Sequence, residues 1–482
     1  MSLTVLHNNS LDNYTSYHVG IFDIFACISV GFLATAPIVY VGKIGNTYIS
    51  CVYVACLAFV LARLIILKST IKQHVFDDSI LLFVGICLLS SISTLIYSMA
   101  GVLDQESLAV PMKGYVVLAC LLTVYAFAFF FWHAKYWIIV GLAWGMVFSF
   151  VICLISLYAF NHGTCFSLYG LFPQESFQIS APYGIWDYLP MPREQLITQY
   201  RPQGLFREAS HLMIFLISTA PLVIHVVKNS FLRVSVIAFT LFATVTSKSP
   251  NVLFFIVELF VIWIMLRHGR ENELNERDKR LSLSGTTWIF IILLFGILIL
   301  VFCLRQDIIA NIIAQLQTAV ADLDVSNSSD MGTLIRWGLM GKALSLLEIF
   351  PLGAGWNLET TIMEAEFGAG AVSSHTIFLK YLLEIGPLGL LLYFYVIYRH
   401  SFRLIQPNAE FFQKLLGIGV VFMFVSQATN GVTLAPWMWL LLGMAHSEIT
   451  SISCNDSFLS STFSSISTSK GLQRRFRSQF EI

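Results

Sequence analysis

The sequence predicts an all-α polytopic membrane protein, with about twelve membrane-spanning helices and two long loops on one face. Three observations carry this. Of 482 residues, 57% are hydrophobic and only 12% charged, and the mean hydropathy of +0.75 is beyond what a soluble chain of this length tolerates. The apolar residues fall in repeated runs of the length a bilayer requires, about 17–25 residues each. Lys and Arg collect between alternate runs, as they do on the cytoplasmic side of a membrane. The net charge is zero, which gives no sign of a nucleic-acid partner.

The first twenty residues are polar and lack the basic start of a signal peptide, so 1–20 reads as a cytoplasmic N-terminus and the apolar run after it as a retained span. Spans are expected near 21–41, 47–67, 79–99, 115–131 and 136–159, filling 21–159. A loop over 160–208 follows. Four more spans, near 209–227, 231–247, 251–266 and 286–304, fill 209–304. The second loop is 305–375, and the last spans, near 376–398, 414–430 and 434–447, fill 376–447. The Ser-rich, basic stretch 448–482 lacks an apolar period and reads as a disordered cytoplasmic tail. Lys68 and Lys72, Lys135, Lys228 with Arg233, the run Arg267 to Arg280, Arg399 with Arg403, and the tail arginines then share one side. Both long loops fall on the other side, and their length marks them as functional.

The second loop has internal pattern. Ile309, Ile312, Ile313, Leu316, Val320 and Leu323 recur at helical spacing, which predicts an amphipathic helix over 306–323 at the membrane surface. A further helix is expected from Gly332 to Phe350, with Leu334, Trp337, Leu344 and Leu347 on its apolar side. Pro351-Leu-Gly-Ala-Gly355 ends it. Of the nine cysteines, Cys27, Cys51, Cys56, Cys87, Cys120 and Cys153 sit inside apolar runs. None makes a close pair or a Cys/His cluster with zinc spacing, so they read as packing residues.

Chemistry-bearing residues gather in the two loops. Arg201, Arg207 and, less directly, Arg193 face away from the cytoplasm, against the charge rule. They fit either lipid headgroups or a phosphate held bidentately at a helix start. Glu208 and His211, three apart on one helix face, read equally as a satisfied polar pair or a catalytic one. Arg336 and Lys342 lie on the helix of the second loop, where either could anchor it to headgroups. His375 falls where that loop meets a span, with Ser373 or Ser374 placed to cap the helix. A helix N-terminus disfavours imidazolium, so His375 is expected to be neutral and able to accept a proton, or else to hydrogen-bond at the interface. Within spans, Arg63 is near a cytoplasmic end, Glu258 is isolated, and Lys380 and Glu384 are four apart and able to pair.

Several of these elements together resemble the bacterial O-antigen ligase/polymerase superfamily. They are a His375-Thr376 pair followed by nine residues and Gly386-x-x-Gly389, the preceding Pro351-Leu-Gly-x-Gly355, and Arg201 with Leu205 as an Arg-x-x-x-Leu element. Glu208-Ala-Ser-His211 looks like the Glu-Pro-Ser/Ala-His variant of the polymerases, with Ala209 in place of proline. Arg193 to Gly204 fits their Arg, ten residues, Gly pattern, whereas Arg336 meets Leu347 at the matching position. The resemblance is closest over roughly 190–400. It implies a GT-C-like, inverting, metal-independent glycosyltransferase in the bacterial inner membrane. No cofactor is implied. Such an enzyme acts at the periplasmic face on undecaprenyl-diphosphate-linked oligosaccharide, in a lipid bilayer and with a chain-length regulator protein as partner. It also implies His375 as general base with Glu208 second, and Arg201, Arg207, Arg336 and Arg193 on the diphosphate. Ligase activity and a multi-span transporter or flippase are the alternatives.

Overall fold

The computed structural model describes residues 19–37, 39–44, 47–67, 75–161, 204–206, 209–246, 251–274, 331–367, 376–406, 409–427 and 435–452, and these are mostly helical. In chain order the helices are α1 (Ile21–Ala34), α2 (Cys51–Leu67), α3 (Asp78–Met99), α4 (Ala109–Phe130), α5 (Lys135–Asn161), α6 (Ala209–Val226), α7 (Ser230–Thr246) and α8 (Asn251–Leu274). They continue with α9 (Met331–Leu346), α10 (Glu359–Phe367), α11 (Ile377–Ser401), α12 (Phe411–Ser426) and α13 (436–452). Among the described residues four helices are long and apolar enough to cross a membrane: α3, α4, α5 with the turn before it, and α11. The shorter apolar helices include α1, α2, α6, α7 and α12.

The apolar surface points both ways. One core joins α1–α8, α11, α12 and α13, and a smaller one, around Leu346, Phe350, Leu358 and Leu383, seats α9 and α10 on α11. On α3 a second apolar face, including Leu82, Leu89, Ile92 and Met99, is exposed. Left in water, such a face would be an aggregation surface; in a bilayer it meets hydrocarbon. Close helix contacts use small residues, as they do where lipid removes the hydrophobic drive. A Cβ on Gly31 of α1 would fall 2.2 Å from the Ile138 carbonyl of α5, and one on Gly419 of α12 would fall 2.4 Å from the Ser218 carbonyl of α6.

Several expectations are corrected. The fold is not purely helical: β1 (Tyr40–Ile44) and β2 (Thr47–Ser50) pair antiparallel, with Ile44 opposite Thr47. The first span, expected to reach 41, ends at Ala34, and the second begins at Cys51. Pro37 restricts Ala36 away from helical dihedrals, and the residues beyond are β-branched and aromatic. In α9 the buried stripe is Leu339, Ala343 and Leu346, running on to Phe350, at spacings of four, three and four; Leu344 is 53% exposed rather than core-facing. The N-cap of α11 is Thr376, with extended dihedrals, and not Ser373 or Ser374. The expected span near 286–304, the helix at 306–323, most of the loop 160–208 and the tail from 453 lie outside the described residues.

Candidate functional site

Of the predicted site residues, Arg193, Arg201, Arg207, Glu208 and His375 lie outside the described residues, and Arg336 is placed by its backbone alone, on the second turn of α9. What can be built upward is the frame that flanks His375: α9, the loop 347–358, α10, and the first half of α11.

That frame turns on a break in α11. Gly386 has φ +71° and ψ −175°, values that leave the helix, and Pro387 follows. In a regular helix the carbonyl of Leu383 would accept from the N–H of residue 387, but proline has none. The loop supplies donors instead. Ala354 N–H donates to Leu383 O at 2.7 Å, and Gly355 N–H donates to Glu384 O at 2.9 Å. The approach is so close that a Cβ on Gly353 would fall 2.5 Å from the Gly386 nitrogen, and one on Gly386 would fall 2.4 Å from Leu352 O. Backbone against backbone cannot yield as a flexible side chain would, so glycine is required at both positions, each of which also has a positive φ. The two glycine-bearing segments of the sequence are therefore one structural unit.

Helix α3 closes the third side. Thr94 Oγ1 donates to Ala354 O at 2.9 Å, and Trp356 N–H donates to Ser90 Oγ at 2.9 Å. Trp356 is 1% exposed, stacks on Tyr381 with ring centroids 6.0 Å apart, and meets Phe83 edge-on. Asn357 has φ +65°, a conformation asparagine tolerates better than most residues.

Beside the loop lies a buried charged triad. Lys380 Nζ stands 3.7 Å from Glu384 Oε1 and 3.9 Å from Glu359 Oε2, and the Glu359 N–H donates to Glu384 Oε1 at 3.4 Å. Both carboxylate side chains are 1% exposed and the lysine 15%. Glu359 opens α10, where the helix dipole favours a negative charge. Glu384 Oε2 is buried without a hydrogen-bond partner, as is Glu258 Oε2 in α8. The pairing of Lys380 with Glu384 follows from their spacing; the third member, Glu359, does not, because it comes from another helix. Two carboxylates around one ammonium can hold the loop hairpin to α11 or bind a proton. Among the described residues no group of three or more His, Cys, Asp and Glu side chains is arranged to hold a metal ion.

The opposite end of the bundle carries the remaining described ion pairs. Asp23 of α1 accepts from Arg63 of α2 and pairs with His133 at 3.0 Å. Asp77, the N-cap of α3, pairs with Arg399 of α11 at 3.1 Å, and His446 Nδ1 of α13 is 4.0 Å away. Lys135 of α5 reaches Glu448 of α13 at 2.9 Å, and Gln413 of α12 donates to the same carboxylate. Arg63, which by sequence could snorkel to the surface, is thus tied to a neighbouring helix. Burial works against the charge on Asp77, but hydrogen bonds from Ser79 and the charges of His400 and Arg399 outweigh it and hold the carboxyl below its ordinary range. Sequence reasoning passed over Asp23, Glu359 and Glu448. The available signal was an acidic residue at the edge of an apolar run, where it needs a partner.

No family model, curated protein or solved structure matches the chain.

Proposed function

We propose that this chain is an O-antigen polymerase, or a polymerase of a related surface polysaccharide. It would transfer a growing polysaccharide from undecaprenyl diphosphate to the sugar of a new lipid-linked repeat unit. The observation that carries the reading is the docking of Gly353 on Gly386, since these glycines belong to the two segments on which the superfamily resemblance rests. That contact fixes the loop before α10 to α11, whose buried N-cap, Thr376, is the residue after His375.

In this reading twelve spans leave both termini in the cytoplasm of a bacterium and both long loops in the periplasm. His375 takes the proton from the acceptor hydroxyl as that oxygen attacks the anomeric carbon, with Glu208 as the second candidate base. Attack opposite the leaving group inverts the anomeric centre. Arg201, Arg207, Arg336 and Arg193 offset the charge that develops on the departing lipid diphosphate, a task arginine performs without a metal ion.

The test is the lipopolysaccharide ladder on a gel after replacing Arg201, Arg336 or His375 by Ala. A polymerase defect leaves core carrying a single repeat unit, whereas bare core identifies the ligase alternative. Long-chain ladders unchanged in all three variants would overturn both. A transporter or flippase is the reading from another class, favoured by the buried Glu359, Glu384 and Glu258 and the half-buried Lys380. It predicts proton- or ion-coupled movement of substrate that Lys380→Met abolishes while His375→Ala leaves it intact.

A further inference from the structure

We propose that residues 331–367 form a re-entrant hairpin whose tip, at Leu352, is embedded among the acyl chains of bilayer lipid rather than resting on the membrane surface. The inference depends on α11 and α3 being membrane spans and not on the reaction catalysed. Depth is the first argument. Gly386, against which Leu352 and Gly353 pack, is the tenth residue of α11, so it lies about 14 Å along the helix from its first residue at 1.5 Å per residue. Helix α3 gives the same level independently. The Asp77–Arg399 pair sets the register of the two helices, and Trp356 N–H binds Ser90, nine residues before the end of α3 at Met99. A 25-residue helix is about 38 Å long and hydrocarbon about 30 Å thick, which puts the tip about 10 Å below the hydrocarbon boundary.

The chemistry of the segment changes with that depth. Lys342 and Glu348 are exposed before the chain reaches Phe350, which packs on Tyr97, two residues from the end of α3. At the tip the exposed side chains are the apolar Pro351 and Leu352, the latter 74% accessible, charged groups are exposed again only from Glu364 on, and Leu388, just past the kink, is 58% accessible. Non-helical backbone at membrane depth must have its polar groups satisfied by protein. Here the N–H groups of Gly353, Ala354, Gly355, Trp356 and Leu358 all find protein acceptors, as does Ala354 O a donor. An apolar side chain facing outward beside backbone N–H groups bonded within the protein, level with the lipid-facing residues of a span, is what hydrocarbon accommodates.

The experiment replaces Leu352, or as a reference Leu391 of α11 (64% exposed), by photoreactive p-benzoylphenylalanine in the full chain. The protein is reconstituted in phosphatidylethanolamine/phosphatidylglycerol vesicles with radiolabelled acyl chains. Position 352 has room for the larger side chain, and elution on gel filtration checks folding. The expected result is a lipid adduct at 352 in yield comparable to 391. A cross-link from 352 to a second copy, or no lipid adduct at 352 while 391 forms one, would overturn the re-entrant hairpin. Absence of lipid adducts at both positions would overturn the span assignment of α11 and this inference with it, leaving the ladder test of the enzyme reading separate.

Discussion

At the end of the bundle where α1 begins, helices are cross-linked by side chains; at the level of Gly386 they are joined by main chain. Asp23, Asp77 and Glu448 each bind cations from other helices close to where the helices emerge, and Arg399 there is 39% exposed. The Asp77–Arg399 pair is individually modest, because water and salt reach the arginine. At the kink, two main-chain bonds, three positive-φ glycines and a triad with two buried carboxylates act together. The comparison separates two ways of holding helices. One tolerates substitution through long flexible side chains. The other depends on backbone geometry that few residues can adopt, and it is the one beside the candidate site.

The largest effect is expected from Lys380→Met. Removing the ammonium leaves two buried carboxylates uncompensated, and the expected loss is about 4 kcal/mol, read from thermal unfolding in detergent. Restoration by the Glu359→Gln/Glu384→Gln pair on the same background would tie the loss to charge. Gly386→Ala comes next. The positive φ and the contact with Leu352 O make the expected loss about 3 kcal/mol, against less than about 0.5 kcal/mol for Leu344→Ala on the exposed face of α9.

At the charged end, Asp77→Ala removes the cap of α3 and one ion pair, for about 1 kcal/mol. Asp77 also supplies a pH test. Its folded pKa is depressed, so its contribution is complete above about pH 4, the unfolded value, and is lost as pH falls through the folded one. Wild type should therefore lose stability on acidification below about pH 4 more steeply than Asp77→Asn, measured as midpoint temperature against pH. Parallel curves would remove Asp77 from the account of that end.

Which parts were legible in advance follows from the range of the forces involved. The apolar runs that became α3, α5 and α11 were readable because membrane-length hydrophobicity is a property of consecutive residues. The Lys380–Glu384 pair was readable because it lies within one helix turn. The β-hairpin was missed because Tyr40 and Val41 look as apolar as a span continuing from α1, and Pro37 alone argued otherwise. Leu344 was assigned to the buried face of α9 because it fits the same helical period as Leu347, which does pack on the core. Only the neighbours Leu379 and Leu383 decided in favour of Leu339, Ala343 and Leu346.

By itself, the sequence determined that this is a helical chain suited to a membrane and where most of its helices run, since length, hydropathy and helix-breaking residues act locally. It also marked the glycines at 353, 355, 386 and 389 as special without saying what they approach. Tertiary contacts were needed to show that Ala354 and Gly355 supply donors to the carbonyls freed at the kink, that Glu359 joins Lys380 and Glu384, and which helix each charge at the other end binds. The physical reason is common to all three. A freed carbonyl or a buried charge must be satisfied where water is absent, and the group that satisfies it can come from any part of the chain that the fold brings within 4 Å.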